Sequence, residues 1–266
     1  MDPIGIIAGG GQLPFIAAGE ARRQGRRVVV VALDGVTDPA LALSVDAFHW
    51  VRIGQMGAVV RAFRAEGVRD AILLGKVEIT NLFTKIRPDL LGAKVLLKAK
   101  DLRGDTLLEA IIETLAAEGV CIRETPAFLT PLMVQPGILG RRSPTPQELQ
   151  DLRLGREVAR QIAALRIGQT VVLKHGTVLA VESVEGTDAA IRRGGQLGHG
   201  GVVVVKVGRP DQDLRFDLPT IGLATLPVLR EVGARALGLD AGHILLLDRE
   251  RFLREADDLG LSVVAE

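Results

Sequence analysis

The hydrophobic pattern changes character about halfway along the chain. Up to roughly residue 130, short β-branched runs alternate with stretches whose apolar positions recur at helical spacing. Residues 4–8 read as a strand, followed by a glycine turn and a helix over residues 15–24. Residues 27–33 (RVVVVAL) form a continuous apolar run, the pattern of a strand buried on both faces of a parallel sheet, and residues 71–74 form another. Helical stripes accompany them: Val59, Val60 and Phe63 within 58–66, and Leu107, Leu108, Ile111, Ile112 and Leu115 within 106–118. Such alternation predicts an α/β fold, with a Rossmann-like, doubly wound N-terminal domain over residues 1–130.

The pattern then breaks. Pro131, Pro136, Gly137, Gly140, Pro144 and Pro146 crowd a short stretch that neither a helix nor a sheet interior tolerates, which places a domain boundary there. Thr145-Pro146-Gln147-Glu148 follows as a helix start, with a capping hydroxyl, a proline at the first helical position and a glutamate three residues after the cap. Residues 131–165 are therefore expected to be a linker and connecting helix. The remainder, 166–266, reads as a C-terminal mixed α/β domain. Residues 170–174 and 177–183 flank His175-Gly176 as a hairpin, 202–207 is a further strand, and 226–237 a helix. Strand, helix and strand over 244–247, 249–259 and 261–264 complete it.

Composition narrows the function classes. The chain is 47% hydrophobic and 24% charged, as expected of a folded globular protein. A formal net charge of +1 gives no global field for nucleic acid or an anionic membrane, and 3% aromatic residues supply no stacking platform for single strands, so no nucleic-acid partner is expected. No window approaches 18 uncharged apolar residues and the N-terminus has no basic leader, which predicts a cytoplasmic protein. Cys121, the single cysteine, rules out an internal disulfide and a CxxC zinc site. It lies in an apolar run, 119–122, and is expected to be a buried packing residue. The four histidines are too far apart for a zinc pair such as HExxH, and His199, amid five glycines, is expected to be structural or solvent-facing.

Any anion recognition must then be local, and three segments offer it. Gly9-Gly10-Gly11-Gln12 joins a strand to a helix, where glycines let backbone approach a ligand and free N–H groups favour an anion. It departs from the dinucleotide fingerprint, because Pro14 stands where the third glycine belongs; Asp34 after the second strand suits either a ribose or a plain turn. Residues 181–193 crowd Glu182, Glu185, Thr187, Asp188, Arg192 and Arg193 onto one strand-to-helix corner, with Thr187 or Asp188 as the helix cap. Residues 203–222 run a buried-looking strand into Lys206 and then a loop of alternating acids and bases ending in a stiff Pro-Thr-Ile-Gly turn. Asp213 and Asp217 are ligands of the kind Mg²⁺ prefers, while Lys206, Arg215 and Arg192 suit phosphate oxygens, a set fit for metal-assisted phosphoryl chemistry. A last stretch, Asp89 to Asp105, carries an apolar helix face (Leu90, Leu91, Val95, Leu96, Leu97) expected either to pack against the sheet or to line an acyl pocket, beside Lys98, Lys100, Asp101 and Asp105.

Taken in order, these motifs resemble the LpxI family, the UDP-2,3-diacylglucosamine pyrophosphatases of lipid A biosynthesis. The matching residues are Ala8 to Pro14, Leu74-Gly75-Lys76-Val77, the Asp89 to Asp105 stretch, Ile167-Gly168-Gln169, Glu185-Gly186-Thr187-Asp188 and Arg215-Phe216-Asp217-Leu218-Pro219-Thr220-Ile221-Gly222, spread over nearly the whole chain. One departure is Thr106, where the family's pattern has a second Asp. The resemblance implies Mg²⁺-dependent hydrolysis of a lipid-linked UDP-sugar, with water attacking the sugar-side phosphorus and UMP leaving beside 2,3-diacylglucosamine 1-phosphate (lipid X). Carried onto this sequence, it implies metal binding or water activation by Asp217, and secondarily by Asp188, Glu185 and Asp213. It implies diphosphate binding by Lys206, Arg215, Arg192 and Thr187, with Gly9, Gly10, Gly11, Gln12, Lys76 and Thr220 completing the substrate site. The lipid tails imply transient contact with the cytoplasmic face of the inner membrane, and a homodimer is compatible with this reading. Two other classes stay open on the residues alone: an NAD(P)-dependent oxidoreductase using the glycine loop and Asp34, and a non-catalytic lipid or nucleotide carrier using the Leu90 to Leu97 face.

Overall fold

The computed structural model describes residues 2–77, 87–99 and 104–266. The chain divides into two compact units, Met1–Thr130 with Leu214–Phe216, and Pro131–Asp213 with Asp217–Glu266. Among the described residues, no helix is long and apolar enough to cross a membrane.

In the first unit, strands β1 (Ile4–Ala8), β2 (Val28–Leu33), β3 (Ala47–Val51), β4 (Asp70–Leu74) and β5 (Cys121–Ile122) form a wholly parallel sheet in the order β3-β2-β1-β4-β5. This is the nucleotide-fold order, whose direction of winding reverses between β1 and β4. Helices α1 (Leu13–Arg23), α2 (Met56–Ala65), α3 (Leu90–Lys98) and α4 (Gly104–Ala117) accompany it. β2 is buried at five successive positions, as its unbroken apolar run requires. Gly5 is a packing necessity: a Cβ there would meet the fully buried Phe63 ring at 2.7 Å, so the helix lies tight on β1.

Three expectations change here. β3, unpredicted, is an edge strand whose residues Phe48, His49 and Trp50 keep partial contact with solvent. Cys121 is exposed, because alternation along the short β5 turns Ile122 into the core and Cys121 out. The 90–97 apolar face divides: Val95 is buried in the core cluster that includes Val29 and Val31, Leu90 and Leu97 are 88% and 87% exposed, and the helix packs chiefly on α2 and α4. Asp89 caps that helix through the Gly92 N–H (2.9 Å) and also accepts the Gly57 N–H (2.8 Å), which ties α3 to the start of α2. Lys100 and Asp101 lie outside the described residues.

The second unit is built on a six-stranded mixed sheet, β6-β13-β11-β9-β7-β8, from β6 (Gly137–Ile138), β7 (Thr170–Lys174), β8 (Thr177–Val181), β9 (Val203–Lys206), β11 (Ala236–Leu239) and β13 (Ser262–Ala265). The strands β9, β11 and β13 run parallel to one another; β6, β7 and β8 pair antiparallel. A separate parallel pair joins β10 (Thr220–Ile221) to β12 (Leu245–Leu246). The hairpin turn between β7 and β8 has positive φ at His175 and Gly176, and buried Asp151 accepts both of their N–H groups, at 2.9 and 2.6 Å.

Helices cover both faces of this sheet at glycines. The expected connecting helix, α5 (Pro146–Ala164), is part of the unit: a Cβ on Gly155 would come within 2.6 Å of Leu173 and Val205, so α5 rests directly on β7 and β9. On the opposite face α6 (Thr187–Gly198) does the same at Gly194, 2.5 Å from Val172. The predicted helix at 226–237 is shorter. After α7 (Leu226–Glu231), Gly233 takes a φ of +55° and the Ala234 N–H returns to the Leu229 carbonyl, stopping the helix so that β11 can begin. Helix α8 (Arg249–Asp258) leads into β13.

The start of α5 is a complete capping box: Thr145 accepts the Glu148 N–H, and Glu148 accepts the Thr145 N–H at 2.9 Å. Replacing Thr145 with Ala is expected to lower the stability of the protein by about 1 kcal/mol, read as a lower urea midpoint with unchanged slope; an unchanged midpoint would show that packing alone sets the start of α5.

Candidate active site

In the first unit, the loops after β1 and β4 meet at the switch point of the sheet. The Gly9 N–H donates to the Leu74 carbonyl (2.7 Å), and Gly10 and Lys76 exchange N–H···O bonds of 2.9 Å in both directions. A Cβ on Gly9 would lie 2.8 Å from the Gly75 backbone, and one on Gly75 would lie 2.7 Å from Gly9. Both glycines are thus required for backbone-on-backbone packing. The N–H groups of Gly9 and Gly10, expected to face an anion, are spent inside the protein. Gly11, at φ +94°, makes the turn into α1, and Gln12 stands at the helix start without a side-chain cap. Lys76 and Asp34 are exposed at the same end of the sheet.

In the second unit, the carboxyl end of β9 presents Lys206. Its ammonium donates to the Thr187 hydroxyl (3.1 Å), which donates in turn to Glu182 (2.9 Å); the other Glu182 oxygen accepts the Gln169 N–H (3.2 Å). Burial pushes the Lys206 pKa below the ordinary lysine value, and the charges of Glu182 and Asp188 draw it partly back. Thr187 therefore spends its hydroxyl on this relay and does not cap α6. The cap residue is Gly186, at φ +82°, without a side-chain bond.

The neighbouring charges point elsewhere. Arg192 pairs with Glu231 (2.9 Å) and Arg193 with Glu185 (2.5 Å), so the corner does not gather its arginines around Lys206. Glu185 has its pKa held below the ordinary carboxylate range, first by its own backbone N–H and then by Arg193. Asp188 lies exposed in the first turn of α6.

Beyond Lys206 the chain forms a loop that returns at Asp217. Arg209 is hydrogen-bonded to the Asp217 carboxylate. The Arg209 N–H donates to the Gln212 side-chain oxygen (2.9 Å), the Gln212 N–H returns to the Arg209 carbonyl (3.3 Å), and the Asp217 N–H donates to the Asp213 carbonyl (2.9 Å). Asp240, just past the end of β11, accepts the Gly208 N–H at 3.4 Å and Arg160 at 2.8 Å. Thr220 opens β10.

Residues Leu214–Phe216 belong with the first unit. There Thr125 directs both its N–H (3.0 Å) and its hydroxyl (2.9 Å) at the Leu214 carbonyl, and Phe216 packs on the core around Phe63 and Leu115. Arg215 lines a cavity of about 570 Å³ with Arg26, Arg123 and Phe128. One short motif thus serves two units: Arg215 and Phe216 the first, Asp217 the second.

Profiles of two protein domains match this chain in tandem, the LpxI N-terminal domain over residues 3–132 and the LpxI C-terminal domain over residues 135–264. The chain belongs to the LpxI family. It is 36% identical over 275 aligned positions to the UDP-2,3-diacylglucosamine pyrophosphatase LpxI of Caulobacter vibrioides, covering 99% of this chain and 97% of that protein. Among solved structures, biotin carboxylase from Campylobacter jejuni aligns with a TM-score of 0.30 at 11% identity, over 74% of this chain and 42% of that one. N5-carboxyaminoimidazole ribonucleotide synthetase from Thermotoga maritima aligns at 0.26 and 16%, over 70% and 42%. The chain spans less than half of either, and likeness at that level carries no argument.

The carboxylates expected to hold Mg²⁺ are not gathered into one group. Among the described residues, no three His, Cys, Asp or Glu side chains are grouped to hold a metal ion. Asp217 is engaged by Arg209 and Glu185 by Arg193, so each carboxylate already has a cation. Glu182, Gln169 and Arg209 complete the site's hydrogen bonding; the sequence placed Glu182 in the charged corner and Gln169 in a matching motif without assigning either a role. Arg209 was legible only as one more charge in the loop after β9.

The Lys206 pKa shift has a measurable sign. The unfolded chain binds this proton more tightly than the folded one, so the position adds stability as pH rises toward the ordinary lysine range. Compared with Lys206→Met, the unsubstituted protein is expected to gain stability between neutral pH and about pH 10. Urea denaturation at the two pH values reads the difference, and one that stays constant would mean that burial does not penalise this ammonium.

Proposed function

We propose that the protein hydrolyses the diphosphate of UDP-2,3-diacylglucosamine, giving UMP and 2,3-diacylglucosamine 1-phosphate. The observation that carries the reading is the end-to-end relationship to a pyrophosphatase of that specificity. The chemistry at the end of β9 is compatible with it.

Lys206, held toward Thr187 and only partly hydrated, supplies a fixed positive charge for phosphate oxygens, whose negative charge grows as the anhydride bond breaks. Thr187 keeps the ammonium in place, and Glu182 with Gln169 keeps Thr187 in place. Asp217 closes the loop that follows Lys206, hydrogen-bonded to Arg209, and we assign it the activation of the attacking water. Water adds to the sugar-side phosphorus, the bridging oxygen leaves with UMP, and the proton passes to the carboxylate. Mg²⁺, which the family resemblance implies, would shield the diphosphate charge when bound. No protein step is routed through it; of its expected ligands, Asp217 and Glu185 are each paired with an arginine.

Asp217→Ala is expected to lower kcat by at least ~100-fold, the scale for losing a positioned acid or base, with an unchanged circular dichroism spectrum. Release of UMP from the diacylated UDP-sugar, with Mg²⁺ and with chelator, is the measurement. Near-normal turnover would move water activation to another residue, and absence of UMP under every condition would end the proposed activity.

A further inference from the structure

The loop between β9 and β10 holds two donors in an unusual state. Arg209 Nε and Gln212 Nε2 are both buried and neither has a hydrogen-bond partner among the described residues. Buried polar groups are normally satisfied, and each exception asks for a reason. These two sit three residues apart on one turn. The turn is locked by the paired bonds between the Arg209 and Gln212 backbones and the Gln212 side-chain oxygen. Gly208 anchors it from behind, its N–H on Asp240, and a Cβ there would come within 2.9 Å of His243 and 3.4 Å of Gln212. The Gln212 side chain cannot swing out to water without breaking that lock, and the Arg209 side chain is held by its bond to Asp217. One edge of the guanidinium is in use: Arg209 Nη2 donates to the Asp217 carboxylate.

We propose that Arg209 and Gln212 form an oxyanion subsite that Asp217 occupies in the free protein and that the substrate's diphosphate takes over. A phosphate group offers several oxygens and can accept from Nε–H and Nη2–H of one arginine together, which a carboxylate engaged at Nη2 alone does not do here. The incoming diphosphate also supplies an acceptor for the Gln212 amide. The exchange releases the Asp217 carboxylate at the moment substrate arrives. Arg209 thus both binds the diphosphate and controls when Asp217 is available. This rests on the reading of the protein as a diphosphate hydrolase.

Calorimetric titration with inorganic pyrophosphate, in the presence of chelator, separates the two ideas. Removing the internal competitor in Asp217→Ala is expected to tighten pyrophosphate binding by about tenfold, the scale of one charge-assisted hydrogen bond. Arg209→Lys, which keeps the charge and loses the fork, is expected to weaken it, and Asp217→Ala added to Arg209→Lys is expected to change it little. Gln212→Glu, which puts a negative charge in the subsite, weakens binding by a second route and serves if either other variant fails to fold. Unchanged or weaker binding by Asp217→Ala, strictly additive effects, or indifference to Gln212→Glu would overturn the subsite. If unsubstituted protein still releases UMP from substrate in that case, the subsite fails and the activity stands. If it releases none while pyrophosphate follows the expected pattern, the activity fails and the subsite stands.

Discussion

An ammonium placed at the end of a strand of valines is the constraint around which the second unit is arranged. β9 reads Val203-Val204-Val205-Lys206, and its first three residues are buried between helices on both faces. A charge at its tip is tolerable only if polar groups meet it there. The groups that do so come from the end of β8 and the first turn of α6, and Gln169 ties them back to the sheet by donating to Glu182 and accepting the Val207 N–H. Much of the local architecture follows. The hairpin must return β8 beside β7, Gly186 must adopt a positive φ to start α6, and Gly194 must let that helix settle onto Val172. A side chain at any of these glycines would shift the hydroxyl that holds the lysine.

The two units use glycine for a common purpose at unlike places. In the first, Gly9 and Gly75 bring two loops into backbone contact at the switch point, where related folds approach a nucleotide. In the second, Gly155 and Gly194 bring helices onto the sheet. Reading the first of these as a phosphate cradle was reasonable on spacing alone, since close approach to a ligand and close approach to another loop make the same demand on sequence. Only the partners distinguish them, and Gly9 and Gly10 are partnered by Leu74 and Lys76.

Much of the fold was legible because burial leaves a periodic trace. The runs that became β2, β7 and β9, and the Thr145 to Glu148 helix start, are strong local signals, and they appear where expected. The misses are places where local signal and context diverge. β3 carries His49 and Trp50 at an edge, so its alternation is blurred. The apolar run after Leu226 continues through Ala234 and Leu237, but Gly233 divides it into helix and strand. In the candidate site, Lys206, Thr187 and Asp217 could be singled out from residue types. Their partners could not, because Arg209 with Asp217, Arg192 with Glu231 and Arg193 with Glu185 are choices made by side-chain direction, which a one-dimensional cluster of charges does not encode.

The placement of Leu214–Phe216 bears on how the molecule is made. The first unit comprises the opening 130 residues together with these three, and Phe216 contributes to its core while Thr125 waits for the Leu214 carbonyl. On the ribosome, where domains fold from the N-terminus onward, the parallel sheet can assemble early. Its last apolar contact arrives only once most of the second unit has been synthesised. The first unit is therefore finished by its successor, and maturation of the two halves is tied together by chain order.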